Sequence, residues 1–214
     1  MASFVRIAAA SLEGDACAVA CRLLGARLVR VTEQGVRSGF IVETEAYRQG
    51  DPASHSCRGT TPRNHSMFER PGIAYVYFTY GNHFCLNVVC EPPGIGAAVL
   101  LRALEPELGK AEMASARGGR ERDLTNGPGR LCQALSIDRT LDGTDLLSSD
   151  ELFLAAGPVI PQDAIVATTR IGISQGQDRP WRFLLPANPW VSRPLPQGGG
   201  RLGTNPGTTA TASP

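Results

Sequence analysis

Lysine is almost missing from this chain. Lys110 is the only one, and arginine supplies the other 20 of the 21 basic residues. A mechanism that runs through a lysine Schiff base therefore has Lys110 or nothing. Net charge is nearly missing too: 21 basic against 20 acidic residues leave a formal +1, which excludes a uniformly basic nucleic-acid coat. Long apolar runs are absent, and no stretch reaches the ~18 residues that mark a membrane span. The apolar start, residues 1–10, is interrupted by Arg6 and followed by Glu13 and Asp15, a poor secretory signal, so the expected location is the cytoplasm. What is there, 214 residues of which 42% are hydrophobic, suffices for one globular domain with a real core.

Six cysteines are present: Cys17, Cys21, Cys57, Cys85, Cys90 and Cys132. Their C-x3-C and C-x4-C spacings miss the usual structural zinc pattern, and they read as reduced thiols packed like small hydrophobes. The repeated H-x-C of His55/Cys57 and His83/Cys85 leaves a metal site as the alternative.

Periodicity and turn chemistry divide the chain. Ala16–Leu24 reads as a helix stopped by Gly25, and Arg27–Val31 and Ser38–Tyr47 as strands. Residues 49–64 carry turn residues throughout. Ile73–Tyr80 and Phe84–Cys90 flank Gly81-Asn82 and read as a hairpin. Ala97–Leu104 is an apolar strand, Pro106–Ala116 and Gly129–Ile137 are helical, and Ile165–Ile173 and Trp181–Leu185 are late strands. Residues 194–214 are mostly Gly, Pro, Thr and Ser without hydrophobic period, and are expected to form a disordered tail to a domain of residues 1–193. Hairpin links outnumber βαβ links. The expected class is α+β: a single domain with a curved, mostly antiparallel sheet flanked by helices and a protruding β-hairpin.

Three features could carry chemistry. In the strand Ser38–Tyr47, alternation puts Phe40, Val42, Thr44 and Ala46 on one face and Ile41, Glu43, Glu45 and Tyr47 on the other. Two carboxylates and a tyrosine then share a face, which is either solvated or covered by the polar segment that follows, with His55, Arg58, Arg63, Asn64 and His65. Second, Tyr75 and Tyr77 share a strand face, and Tyr80 sits at the hairpin tip, where an aromatic is suited to insertion between stacked bases or to an ordinary cross-strand pair. Third, Arg102 is the only charge in Ala97–Leu104. It either reaches solvent from the strand end or needs a partner among Glu43, Glu45 and Glu105.

These residues, with others in order, form a pattern. Ile41-Val42-Glu43-Thr44-Glu45-Ala46-Tyr47, His55-Ser56, Thr61-Pro62-Arg63-Asn64, Tyr75-Val76-Tyr77, Tyr80-Gly81, Phe84-Cys85, Asn87, Val99–Pro106, Gly127-Pro128, Leu131–Leu135, Arg170–Ile173 and Asn188–Ser192 resemble the alkyladenine (3-methyladenine) DNA glycosylase family over most of residues 5–193. The resemblance implies a hydrolase of N-glycosyl bonds that acts on double-stranded DNA containing damaged purines. It implies base flipping, no cofactor and no metal. It casts Glu45 as the base that activates a water and Arg102 as the group that holds that water or the carboxylate. Tyr47 and Tyr77 would sandwich the flipped base, with His55 contacting it, Asn87 lining the pocket against the 2-amino group of guanine, and Tyr80 filling the gap in the duplex. A two-residue Gly81-Asn82 turn would pair Tyr77 with Leu86 and turn Asn87 away. Asn87 beside Tyr77 requires a three-residue loop, Gly81-Asn82-His83, or a bulge.

The competing readings are a DNA-lesion binding module without catalysis and a metal-dependent nucleic-acid hydrolase built on the His/Cys pairs. No membrane partner is expected, and the chain is expected to act as a monomer. Residues 140–163 hold five acidic residues and no basic one, whereas residues 164–214 hold five arginines and only Asp178, which points to a local arginine face for DNA. Lys110, in Glu107–Glu112 and far in sequence from Glu45, makes a poor Schiff-base nucleophile, in keeping with an enzyme that releases the base without cutting the strand.

Overall fold

The computed structural model describes residues 3–79 and 81–193; Tyr80 and the expected tail, residues 194–214, lie outside the described residues. Helix α1 (Ala16–Leu23) starts where the Asp15 carboxylate accepts the Cys17 and Ala18 amides at 2.9 and 3.2 Å, and buries Ala16, Val19, Ala20 and Leu23. Strands β1 (Arg27–Thr32) and β2 (Gly35–Tyr47) form a hairpin. After a long turn-rich segment come β3 (Ala74–Thr79), β4 (His83–Val89) and β5 (Ala98–Leu108), then α2 (Lys110–Ala116), α3 (Pro128–Ala134), β6 (Leu152–Ala155), β7 (Val166–Thr168) and β8 (Arg182–Leu184).

All strand pairs are antiparallel. The sheet runs β3-β4-β5-β2-β1-β6 and curls, with β8 paired to β2 and β7 to β8. This is the α+β architecture expected from the sequence. α1 packs on β2 and β5, and α3 on β4 and β5, around a core that includes Leu23, Leu28, Leu86, Leu101, Leu104, Leu131 and Leu154. Among the described residues no helix is long and apolar enough to cross a membrane. Three cysteines, Cys85, Cys90 and Cys132, are buried, Cys17 and Cys21 half-buried and Cys57 exposed; all are free thiols.

Several boundaries differ from expectation for identifiable reasons. β5 continues through Pro106 to Leu108, so the helix expected over Pro106–Ala116 keeps only its second half. Pro106 is tolerated because Glu107 is an extra residue between the Ser38–Leu108 and Gly39–Pro106 pairs, a bulge that breaks the regular ladder there. The expected strand Ile165–Ile173 ends at Thr168, because the next backbone groups bond into the site described below. Leu152–Ala155, too short to show a period, was not anticipated.

The hairpin also differs in detail. Thr79 pairs with His83, so residues 80–82 connect the strands, one position before the expected three-residue loop. Tyr75 lies opposite Asn87 and Tyr77 opposite Cys85. Asn87 thus shares a face with both tyrosines.

Candidate active site

β2 carries the site, and two bulges aim it. The pair Ile41–Leu104 is followed by Glu43–Ala103, leaving Val42 as an extra residue on β2; Glu43–Ala103 is followed by Thr44–Leu101, leaving Arg102 as an extra residue on β5. The first bulge corrects the expected faces: Ile41 joins Ala46 in the main core, not the two glutamates. The glutamate side of the strand is no solvated surface, since Glu43 and Glu45 are both 0% exposed.

Arg102, 6% exposed, bridges the carboxylates: Nε donates to Glu43 Oε1 at 3.0 Å and Nη1 lies 3.2 Å from Glu45 Oε2. Burial opposes its charge, but Glu45 and Glu43 outweigh that and hold it more firmly protonated. Glu43 accepts three further bonds, from Arg182 Nε at 2.6 Å, the Ser192 amide at 2.6 Å and Ser192 Oγ at 2.9 Å. Burial alone would raise its carboxyl, yet Arg102, Arg182 and Ser192 together hold it below the ordinary range. Glu45 is held differently. Its Oε1 accepts the Ile171 amide at 2.7 Å and its Oε2 the Tyr47 hydroxyl at 2.8 Å. Gly172, with φ of +76°, lets the chain turn away directly after that amide. Sequence reasoning found Glu45 and Arg102. It did not find Arg182, Ser192 or the Ile171 amide.

In front of this charged layer lies a cavity of about 470 Å³, lined among others by Tyr47, His55, Tyr75, Tyr77, Asn87, Arg102 and Ile171. Every site residue named from the sequence, apart from Tyr80, is therefore in or directly behind it. The Tyr75 and Tyr77 rings stand 5.3 Å apart, and His55 meets Tyr77 edge-on at 4.4 Å between centroids. His55 Nδ1 is 2.8 Å from the Tyr75 hydroxyl. Burial, with Arg63 nearby, lowers the His55 pKa and favours the neutral ring. Asn87 Nδ2 donates to the Tyr75 carbonyl at 3.0 Å, which fixes its amide at the wall.

The loop that brings His55 over the sheet is tied at several points. Ser56 Oγ donates to the Gly96 carbonyl at 2.6 Å, Gln49 accepts the Gly96 amide at 3.0 Å, and Asn64 Nδ2 donates to the His55 carbonyl at 2.8 Å. Gly96 has no room for a side chain: a Cβ there would lie 2.4 Å from Ser56 and 2.6 Å from Phe68.

A second groove, of about 700 Å³, adjoins the cavity and shares His83, Arg102, Pro128 and Arg193 with it; Arg117 and Arg130 line its far side. Part of the arginine surface expected from the charge distribution is used inside the fold. Arg170 and Arg182, from the arginine-rich end, are consumed in buried pairs with Asp51 and Glu43, and Arg179 also contacts Asp51. The exposed arginines that line the groove are Arg130 and Arg193, whereas Arg117 is buried. Among the described residues, no three His, Cys, Asp or Glu side chains are placed to share a metal ion.

A two-carboxylate layer bridged by a buried arginine thus stands behind an aromatic cavity on a curled antiparallel sheet. Comparison with known proteins gives the class: a family model described as methylpurine-DNA glycosylase matches residues 10–189, and the chain belongs to that family. Three relatives carry the provisional name 3-methyladenine DNA glycosylase. One from Rubrobacter xylanophilus is 52% identical over 76% of this chain and 85% of its own length. One from Carboxydothermus hydrogenoformans is 49% identical over 84% and 94%, and one from Mesorhizobium japonicum 49% identical over 88% and 90%. Membership makes the chain a DNA-repair enzyme, a hydrolase of N-glycosyl bonds.

Proposed function

We propose that residues 1–193 form a monomeric, monofunctional glycosylase that flips alkylated or deaminated purine nucleotides out of duplex DNA in the cytoplasm. In this reading it hydrolyses their N-glycosidic bond with a water activated by Glu45. The observation that carries the reading is the placement of Glu45. Its carboxylate is oriented by Arg102 and the Ile171 amide directly behind the cavity wall formed by Tyr47, Arg102 and Ile171. Among the described residues Oε1 has a single partner and so retains an acceptor position for a water.

The flipped base lies between Tyr47 and Tyr77, with neutral His55 at its edge and Asn87 against the position of a guanine 2-amino group. Bond cleavage passes through an oxocarbenium-like state, as for other glycosides. A 3- or 7-alkylated purine already carries positive charge and leaves without strong acid help, so for those lesions one carboxylate and one water suffice. Stacking on an aromatic contributes about 1–3 kcal/mol per base and offsets much of the unstacking cost. Tyr80 is assigned to the vacated space in the duplex. Arg130 and Arg193, exposed along the second groove, are assigned to phosphates. Lys110, exposed at the start of α2, is not positioned as a Schiff-base nucleophile.

The test is release of free base from duplex DNA carrying hypoxanthine or a methylated purine, followed by alkali. We expect alkali-labile abasic sites and no covalent adduct after borohydride. Protein that binds the duplex yet releases no base would reduce it to a lesion-binding module, and a borohydride-trapped adduct would overturn the monofunctional assignment.

A further inference from the structure

The two tyrosines assigned to the sandwich have different surroundings. The Arg170 guanidinium lies over Tyr47, 4.7 Å from the ring centroid, and also 5.1 Å from the Trp181 ring. It does not line the cavity, whereas Tyr47 does, so it occupies the ring face turned away from the cavity. The guanidinium is fixed there. Asp51 accepts from both terminal nitrogens, Nη1 and Nη2, and the Ala46 and Gly176 carbonyls accept from it at 3.0 and 3.3 Å. Arg179 also donates to Asp51, at 3.2 Å, so one carboxylate faces two guanidinium groups. Tyr77 differs: its close ring neighbours are Tyr75 and His55, and among the described residues no guanidinium lies over it.

An aromatic face attracts a cation through its negative quadrupole. A ring that already carries a cation on one face offers less to a second on the other. That second charge would sit about 8 Å from the first, 4.7 Å plus a stacking gap of about 3.5 Å, with only the ring between them. We propose that Arg170 is a specificity-determining residue: by occupying the rear face of Tyr47 it makes that ring a platform for uncharged purines, and it leaves to Tyr77 the preference for positively charged ones. The pocket then accepts neutral deaminated bases beside cationic alkylated ones. The inference rests on the base lying between the two rings.

The experiment compares single-turnover release of cationic 7-methylguanine and neutral hypoxanthine from otherwise identical duplexes. The joint replacement Arg170→Gln with Asp51→Asn removes the cation and its carboxylate together. It should shift the ratio of rates toward 7-methylguanine by about threefold or more. Tyr47→Leu should slow both lesions by factors that agree within about twofold, whereas Tyr77→Leu should cost 7-methylguanine about threefold more than hypoxanthine. A purely structural role for Arg170 predicts equal losses on both lesions and an unchanged ratio, which would overturn the proposal. So would a Tyr47→Leu loss concentrated on 7-methylguanine, or a Tyr77→Leu loss shared equally. The two tyrosine variants decide the matter if the double variant fails to fold. A wild-type enzyme that releases neither base would instead sink the functional reading beneath it.

Discussion

Glu43 and Glu45 sit two residues apart on one strand, equally buried, and share one arginine, yet their surroundings differ. Glu43 accepts four bonds, from Arg102, Arg182 and twice from Ser192, and ties β2, β5, β8 and the segment after β8 into one knot. Glu45 accepts two hydrogen bonds, from the Tyr47 hydroxyl and the Ile171 amide, beside its ion pair with Arg102, and all three of these residues line the cavity. Number and kind of donors, not burial, separate a carboxylate that holds the fold from one assigned to act on a water. A buried acid is thus a poor signal of catalysis until its bonds are counted.

The sharpest way to break the comparison is at Glu45. Glu45→Gln should slow base release by about 10²–10⁴-fold, while binding of lesion-bearing duplex and the thermal midpoint stay near wild type. Release at wild-type rates would move the chemistry elsewhere. Glu43→Gln should do the reverse. It leaves Arg182 and Ser192 without their anion and should cost about 3–5 kcal/mol in urea unfolding. Activity per folded molecule should fall far less than for Glu45→Gln.

Acid sharpens the same contrast. The folded state holds the Glu43 carboxyl below its ordinary value of 4.5. Its contribution is therefore complete above that pH and is lost as pH falls through the lower folded value. Unfolding measured across that range should show a steeper acid loss in wild type than in Glu43→Gln.

The comparison also shows what could be read from the sequence. Alternation along Ser38–Tyr47 put Glu43, Glu45 and Tyr47 on one face, and the lone charge in Ala97–Leu104 made both glutamates candidate partners of Arg102 beside Glu105 and solvent, because strand period and the cost of an unpaired buried charge are local arguments. The turn residues around Gly81 sufficed for the hairpin. The rest of the site comes from far along the chain: Ile171 is 126 residues from Glu45, and Arg182 and Ser192 are 139 and 149 from Glu43. One of these donors is a backbone amide, which every residue possesses, so no side-chain pattern marks it. The face of Ile41 was misread because a bulge resets alternation without any residue type that announces it.

Smaller effects test the periphery. Gly96→Ala drives a methyl group into Ser56 and Phe68, and should cost about 1–3 kcal/mol of stability; it should also weaken base release by shifting the loop that carries His55. Arg130→Ala should leave both glutamates untouched and reduce the slope of log affinity against log salt by about 0.9, measured by duplex binding from low to moderate salt. An unchanged slope would remove Arg130 from the DNA-contacting surface.

The paired bulges around Glu43 are two separate insertions, one on each strand. Val42 adds one residue to β2 and Arg102 adds one to β5, so the pairing beyond them returns to its original offset. Deleting either residue alone would close its own bulge, because the residues on either side of it already have adjacent partners on the other strand. Deleting both would leave a regular, well-formed sheet. That sheet would have lost the one guanidinium joining the two carboxylates. The arginine is carried on an insertion that the sheet itself does not need, which separates the requirements of the fold from those of the chemistry at a single position.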